Sequence, residues 1–175
     1  MDTPEKRLVE SINELLNGIL LVHGEDLSIP ALILLYVGID FVASLDRRDP
    51  YKDVTRADFM AWVDRYLLPK SDFKCSSIDL YSARCGWVHT YTSKSRFVKT
   101  GEAKEIFYVF GLYDKEDQLQ KAIKDPSVTV AVHFTKLFNA FRDGLDVWER
   151  EFLADPDHRD RVINNSNRLL HTFIQ

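Results

Sequence analysis

The chain has 175 residues, of which 45% are hydrophobic and 29% charged, and carries a formal net charge of -4 at pH 7. That length suits one domain with a real core and is short for two. The acidic balance excludes a general nucleic-acid coat and a polybasic membrane binder, so an anionic ligand would need a local basic patch.

The first helix is predicted from Pro4, a favourable first-turn residue, with Asp2 or Thr3 as its cap; Leu8, Ile12, Leu15, Leu16 and Ile19 recur at helical spacing. Gly24-Glu25-Asp26 ends it. Ser28 and Pro30 open a second helix, and its run from Ala31 to Leu45 is apolar nearly all round, the pattern of a helix covered on most sides. Interrupted by Gly38, Asp40 and Ser44, and short of the ~20 residues of a spanning helix, this run reads as the centre of a bundle and not as a membrane span. Asp46 to Pro50 breaks the pattern. Thr55 then caps a third helix carrying Phe59, Trp62, Val63, Tyr66 and Leu67, which Pro69 stops. After a polar link through Ser71 and Asp72, Ser76 or Ser77 caps a fourth helix with Ile78, Leu80 and Tyr81.

Thr90 to Gly101, rich in serine, threonine, lysine and glycine, reads as a loop, and Glu105 to Phe110 has the character of a short strand. A short fifth helix is predicted over Lys115 to Lys124. Asp125-Pro126-Ser127 is predicted to cap a long sixth helix in which Val130, Phe134, Leu137, Phe138, Phe141, Leu145, Trp148 and Phe152 step by three and four. Asp155-Pro156 starts a last helix with Val162, Ile163, Leu169, Leu170 and Phe173 on one side. Consecutive amphipathic helices joined by short loops pack antiparallel. The expectation is therefore a single all-α domain over residues 1–175, an antiparallel helical bundle with an accessory region from about residue 92 and room for one short strand element.

Two cysteines, Cys75 and Cys85, are too few for a disulfide framework, and no cysteine or histidine cluster has zinc-ligand spacing. His133 and His171 fall on predicted long helices without a second ligand, while His23 and His158 read as loop or helix-start residues. The polar start, Met1 to Arg7, lacks the apolar core of a signal peptide. These features are those of a cytoplasmic protein with no resident metal or cofactor and no membrane partner.

Chemistry is concentrated in Arg84-Cys85-Gly86-Trp87-Val88-His89 on the fourth helix. Histidine, with an unperturbed pKa of about 6.5, exchanges a proton near neutrality, and arginine is a permanently charged fork for phosphate. Twelve arginines and five histidines produce an Arg-x(4–6)-His match roughly once by chance, so the setting has to carry the claim. Here the match lies on a helix beside Tyr81, Trp87 and Val88, with Cys85 and Gly86 keeping the surface next to Arg84 small.

In this motif the chain resembles the HEPN superfamily, all-α domains that carry Arg-x(4–6)-His on a late bundle helix and act as metal-independent ribonucleases. The resemblance covers about Pro4 to Tyr91. It implies that Arg84 and His89 are a catalytic pair, that two copies of the chain form a homodimer with their motifs facing, and that the protein is a toxin or defence effector, controlled by an antitoxin or regulatory protein. Many catalytic members have Asn, Asp or His directly after the arginine, where this chain has Cys85.

Residues five apart on an ideal helix are turned by about 140°, so one strict face cannot display both side chains. Either the helix is distorted near Gly86, or the arginine reaches round, or the site combines two chains; the last option agrees with the resemblance. In the bland reading, Arg84 pairs with an acidic neighbour and His89 is structural. Asp40, alone in the most apolar helix, needs a partner if it is buried, and Arg84 is one candidate; Asp79 is the competing carboxylate. Thr90, Thr92, Lys94, Ser95, Arg96, Lys99 and Lys104 form a local positive cluster in an acidic chain, with Lys94, Arg96 and Lys99 as candidate RNA contacts, or else a solvated loop. Trp62, Trp87 and Trp148 read as core or interface anchors. Cys85, beside a cation, is a candidate low-pKa thiol without a second histidine to activate it.

Overall fold

The computed structural model describes residues 3–48 and 53–169. The Asp2 cap, Pro50, His171, Leu170 and Phe173 lie outside the described residues, as does the side chain of Leu169. Among the described residues, eight α-helices and two strands follow one another: α1 (Pro4–Gly24), α2 (Ser28–Asp46), α3 (Arg56–Trp62), α4 (Ser77–Thr90), α5 (Arg96–Lys99), β1 (Glu105–Val109), α6 (Asp114–Ala122), β2 (Thr129–His133), α7 (Phe134–Ala154) and α8 (Pro156–Leu169). The fold is mostly helical, with a small parallel sheet.

Capping chemistry fixes the helix starts. Thr3 accepts from the Lys6 backbone N–H at the head of α1, and Thr55 with Asp58 forms a capping box on α3. Ser76, not Ser77, caps α4 in a second box with Asp79. These side chains satisfy the first-turn donors that a helix leaves open.

α2 lies at the centre, in contact with α1, α3, α4, α7 and α8. At 19 residues it is long and apolar enough to cross a membrane, so length alone does not separate a core helix from a span. Packing marks it as a core helix here: Leu32, Leu35, Tyr36, Ile39, Val42 and Leu45 are all buried under these neighbours. α3 runs on into a π-helical turn, Val63–Leu67, and a 3₁₀ turn ending at Lys70, with Pro69 closing the segment. Gly144 of α7 passes against that turn. A Cβ there would come within 2.7 Å of the Tyr66 carbonyl oxygen, so the π turn and α7 can approach only at a residue without a side chain.

The C-terminal half corrects the sequence reading in three places. The long helix begins at Phe134, not after Asp125-Pro126-Ser127; that tripeptide forms a turn in which the Ser127 N–H and hydroxyl donate to Asp125 Oδ1. Thr129 to His133 is instead a strand, paired in parallel with β1 in the register Glu105↔Thr129 to Val109↔His133. The β-branched Thr129, Val130 and Val132 suit a pleated, buried surface, while Val130 also happens to fit the helical period of the residues after it. His133 therefore lies on β2, and its Nδ1 caps α7 by accepting from the Thr135 N–H. Parallel strands need a crossover, which α6 supplies; its Gln120 and Glu116 side chains accept from the Ala131 and His133 N–H groups on the outer edge of β2.

Thr90 to Gly101 is also not all loop, since α5 forms one turn capped by Ser95 and buries Phe97. Phe134, Leu137, Phe141, Trp148 and Phe152 belong to the same continuous core as α1 to α4. Trp62 and Trp148 are core residues, whereas Trp87 is half-buried against Tyr91 and Tyr108.

Candidate functional site

α2 and α4 present Asp40, Arg84 and His89 to one another. Asp40 Oδ2 accepts from Arg84 Nε at 2.5 Å, and both side chains are about four-fifths buried. Arg84 then extends Nη1 to His89 Nε2 at 2.8 Å. Arginine has no acceptor, so Nε2 accepts this bond and is the unprotonated ring nitrogen. His89 itself is exposed.

The rotation of about 140° between the two residues is spanned by the arginine side chain reaching round within one chain. A second chain is therefore not required to bring the pair together. The choice between carboxylates is also settled. Asp79 is buried elsewhere, accepting from the Ser76 N–H and hydroxyl and from the Lys104 N–H, while Asp40 is the partner of Arg84. Burial lifts Asp40 above the usual carboxylate range against the opposing pull of Arg84 and His89. Burial works against the Arg84 charge too, but Asp40 outweighs it and holds the guanidinium above its ordinary value. A permanently charged fork is thus fixed by one edge, with its other edge turned towards the exposed histidine.

Gly86 explains how the chain leaves the motif. Its carbonyl accepts from the Thr90 hydroxyl and the Thr92 N–H, and Tyr91 turns the backbone through a left-handed conformation at φ 55°. The chain folds back so closely that a Cβ on Gly86 would lie 2.3 Å from the Thr92 oxygen. Ser95 then docks on α4 through a 2.6 Å hydroxyl contact with Ser82, and Ser93 bonds to Glu105.

This return path brings the basic cluster to the motif. A cleft of about 590 Å³ opens between α4 and the returning segment, with Tyr81, Cys85 and Phe97 on its walls and Lys94, Arg96 and Lys99 around it. Thus all three sequence-predicted cationic residues line one cleft, next to the residue that follows Arg84. Lys104 is apart from them, donating to the Lys74 carbonyl. Cys85 is half-exposed at the cleft wall, while Cys75 is buried and its thiol is pushed up to about 12 by burial and by the Asp79 carboxylate.

The remaining histidines have other occupations. His23 ends α1 and packs on Phe134, and His133 caps α7. His158, in the first turn of α8, is buried against Asp46 at 2.5 Å. This last arrangement was not legible in the sequence, because Asp46 read as part of a helix-breaking charged stretch. Among the described residues no three histidine, cysteine or carboxylate side chains converge on a point where a metal could bind. No protein-family profile matches the chain, and neither a curated protein nor a solved structure matches it.

Proposed function

We propose that the chain is a HEPN-like, metal-independent endoribonuclease in which His89 and Arg84 act on the RNA backbone. The observation that carries this reading is the contact between Arg84 Nη1 and the exposed His89 Nε2, with Asp40 holding the far side of the guanidinium. His89 Nε2, as the unprotonated nitrogen, takes the proton of an RNA 2′-hydroxyl. The freed oxygen attacks the adjacent phosphorus, and the bond to the 5′-oxygen breaks. Arg84 leaves His89 for the phosphoryl oxygens and neutralises the charge that develops there. The 5′-oxygen leaves with a proton from solvent or from His89 of a second copy of the chain. The products are a 2′,3′-cyclic phosphate and a 5′-hydroxyl, and Lys94, Arg96 and Lys99 steer the backbone along the cleft.

By the same resemblance, the protein acts as a homodimer and as a toxin or defence effector restrained by an antitoxin or regulatory protein. A second reading keeps the cleft as a binding surface for RNA, nucleotide or a protein partner without cleavage; Cys85, in the position where many catalytic relatives of this type carry a polar residue, favours it. A third gives Arg84 and His89 a structural part at a dimer interface.

Incubating purified protein with end-labelled RNA in EDTA separates these readings. Cyclic-phosphate ends that vanish in Arg84→Ala and His89→Ala, with DNA of the same sequence left intact, support the first. Binding without cleavage supports the second. Undiminished cleavage by His89→Ala overturns the catalytic assignment.

A further inference from the structure

The basic cleft beside α4 has a cationic neighbour that lies far from it along the chain. Arg56, the first residue of α3, places its Cζ 5.6 Å from the centre of the Phe97 ring, and Arg96 of α5 places its own 5.2 Å from the same centre. Both arginines are exposed. Phe97 itself is only 8% exposed and forms part of the cleft wall.

Aromatic contacts lock the three elements that carry this arrangement. Tyr81 of α4 meets Phe97 at 5.8 Å between ring centres and Phe59 of α3 at 5.5 Å, and Arg56 precedes Phe59 by one helical turn. The Thr55–Asp58 capping box fixes the turn in which Arg56 lies. Its acidic neighbours are spent elsewhere. Asp58 accepts from the Thr55 N–H and hydroxyl, and Glu102, just after α5, accepts from the Thr100 hydroxyl. Arg56, Lys94, Arg96 and Lys99 make no ion pair among the described residues. A cation over an aromatic face is held by the ring quadrupole and not by a carboxylate, so its charge stays uncancelled. Four such cations in and beside one cleft, in a chain of net charge -4, make a local polyanion track.

We propose that Arg56 is a further RNA-binding residue and that, with Arg96, it forms a two-guanidinium clamp seated on Phe97 for the backbone phosphates of a strand that leaves the cleft towards α3. The inference rests on the reading of the cleft as an RNA track. Arg56 takes no part in bond breaking; it is a positioning residue that fixes where the strand lies while Arg84 and His89 act on it. Guanidinium forks match phosphate oxygens in pairs. Each phosphate they neutralise releases counterions, so the clamp has a signature in the salt dependence of binding that packing alone does not give.

The test is fluorescence anisotropy of the full chain with a labelled 2′-O-methyl RNA of about twelve nucleotides, which lacks the 2′-hydroxyl nucleophile, over a salt series, with cleavage of the unmodified RNA measured alongside. Arg56→Gln is expected to weaken binding roughly three- to tenfold near about 0.15 M salt and to reduce the slope of log affinity against log salt by about 0.7, the share of one phosphate contact on a single strand. Arg56→Lys keeps the charge and should restore the slope. Arg150→Gln, which removes an exposed arginine from α7, should leave affinity and slope unchanged. Absence of salt-dependent binding, an unaltered slope in Arg56→Gln, a slope that Arg56→Lys fails to restore, or an equal loss in Arg150→Gln overturns the proposal. The two readings fail separately. Binding through Arg56 without cleavage of the unmodified RNA refutes the ribonuclease and leaves the clamp standing, whereas cleavage with wild-type affinity in Arg56→Gln refutes the clamp alone.

Discussion

One helix, α2, carries two aspartates that build opposite kinds of polar cluster. Asp40 holds Arg84, which reaches an exposed histidine on the helix whose Cys85 lines a basic cleft. Six residues further on, Asp46 accepts from the Trp148 indole and from His158 in an interior cluster, beside Asn165, whose side-chain amide donates to the Leu45 and Arg47 carbonyls at the end of α2. Both clusters contain an aspartate, a histidine and an arginine, the second being Arg161, 3.9 Å from Asp46. They differ in access: His158 is 6% exposed with its ring nitrogen committed to Asp46, whereas His89 is open to solvent and hydrogen-bonded to Arg84, a side chain that a phosphate can draw away. Residue type therefore says little about function here, and exposure together with the exchangeability of the partner says much.

The sharpest way to break this contrast is to remove each histidine. His89→Ala is expected to lower RNA cleavage at least a hundredfold, within the range attributed to positioned acid–base groups, with a melting temperature close to that of the wild type. His158→Ala should do the reverse, keeping the cleavage rate per folded molecule while lowering the melting temperature by several degrees. Cleavage assays paired with thermal melts decide between the two patterns, and the contrast fails if the two variants behave alike.

The aspartates extend it. Asp46→Ala leaves both Trp148 Nε1 and His158 without their acceptor and is expected to cost about 3 kcal/mol in chemical denaturation, in line with breaking a buried polar pair. Asp40→Asn should cost less stability, because the amide oxygen can still accept from Arg84 Nε, and show its effect mainly as slower cleavage through a loosened Arg84.

A smaller effect, about 1–3 kcal/mol, is expected from Gly86→Ala. The added methyl would push the Thr92 segment off α4, so RNA affinity should fall together with stability as the basic cleft opens. If urea titration finds the variant as stable as the wild type, the close approach at Gly86 is not what holds the returning chain.

The finest probe compares the thiols. At pH 8 a thiol with a pKa of about 12 is ionised in roughly one molecule in ten thousand, so Cys75 should resist iodoacetamide in the native protein, and it is sterically shielded as well. Cys85, at the cleft wall, should be alkylated. Mass spectrometry of the native and urea-unfolded protein should show one and then two modified cysteines, and RNA added beforehand should slow the first reaction if it occupies the cleft.

Much of the helical framework is legible from the chain. The first turns are written in Thr3, Thr55 and Ser76, the central helix in the strongly apolar run after Pro30, and α7 in the steps from Phe134 to Phe152. These are local signals, set by capping chemistry and by a period of 3.6 residues. β2 escaped because a five-residue strand leading straight into a helix has too few residues for its period of two to stand apart, and because what makes it a strand is its partner β1, some twenty residues earlier. The candidate site was legible as residue types: Arg84, His89, Asp40 and the lysine-rich segment all stand out. Its geometry was not.

By itself the sequence determined the long helices, the caps of α1, α3 and α4 and the identity of the groups that can do chemistry, because those depend on neighbours a turn or two away. Tertiary structure alone decided that Asp40 and not Asp79 holds Arg84, that the arginine meets His89 within one chain, that Gly86 lets the basic segment return beside the motif, and that His158 is sealed while His89 is open. Each of those outcomes depends on which helix faces lie together and how much water reaches between them, a property of the packed core that no local pattern along the chain encodes.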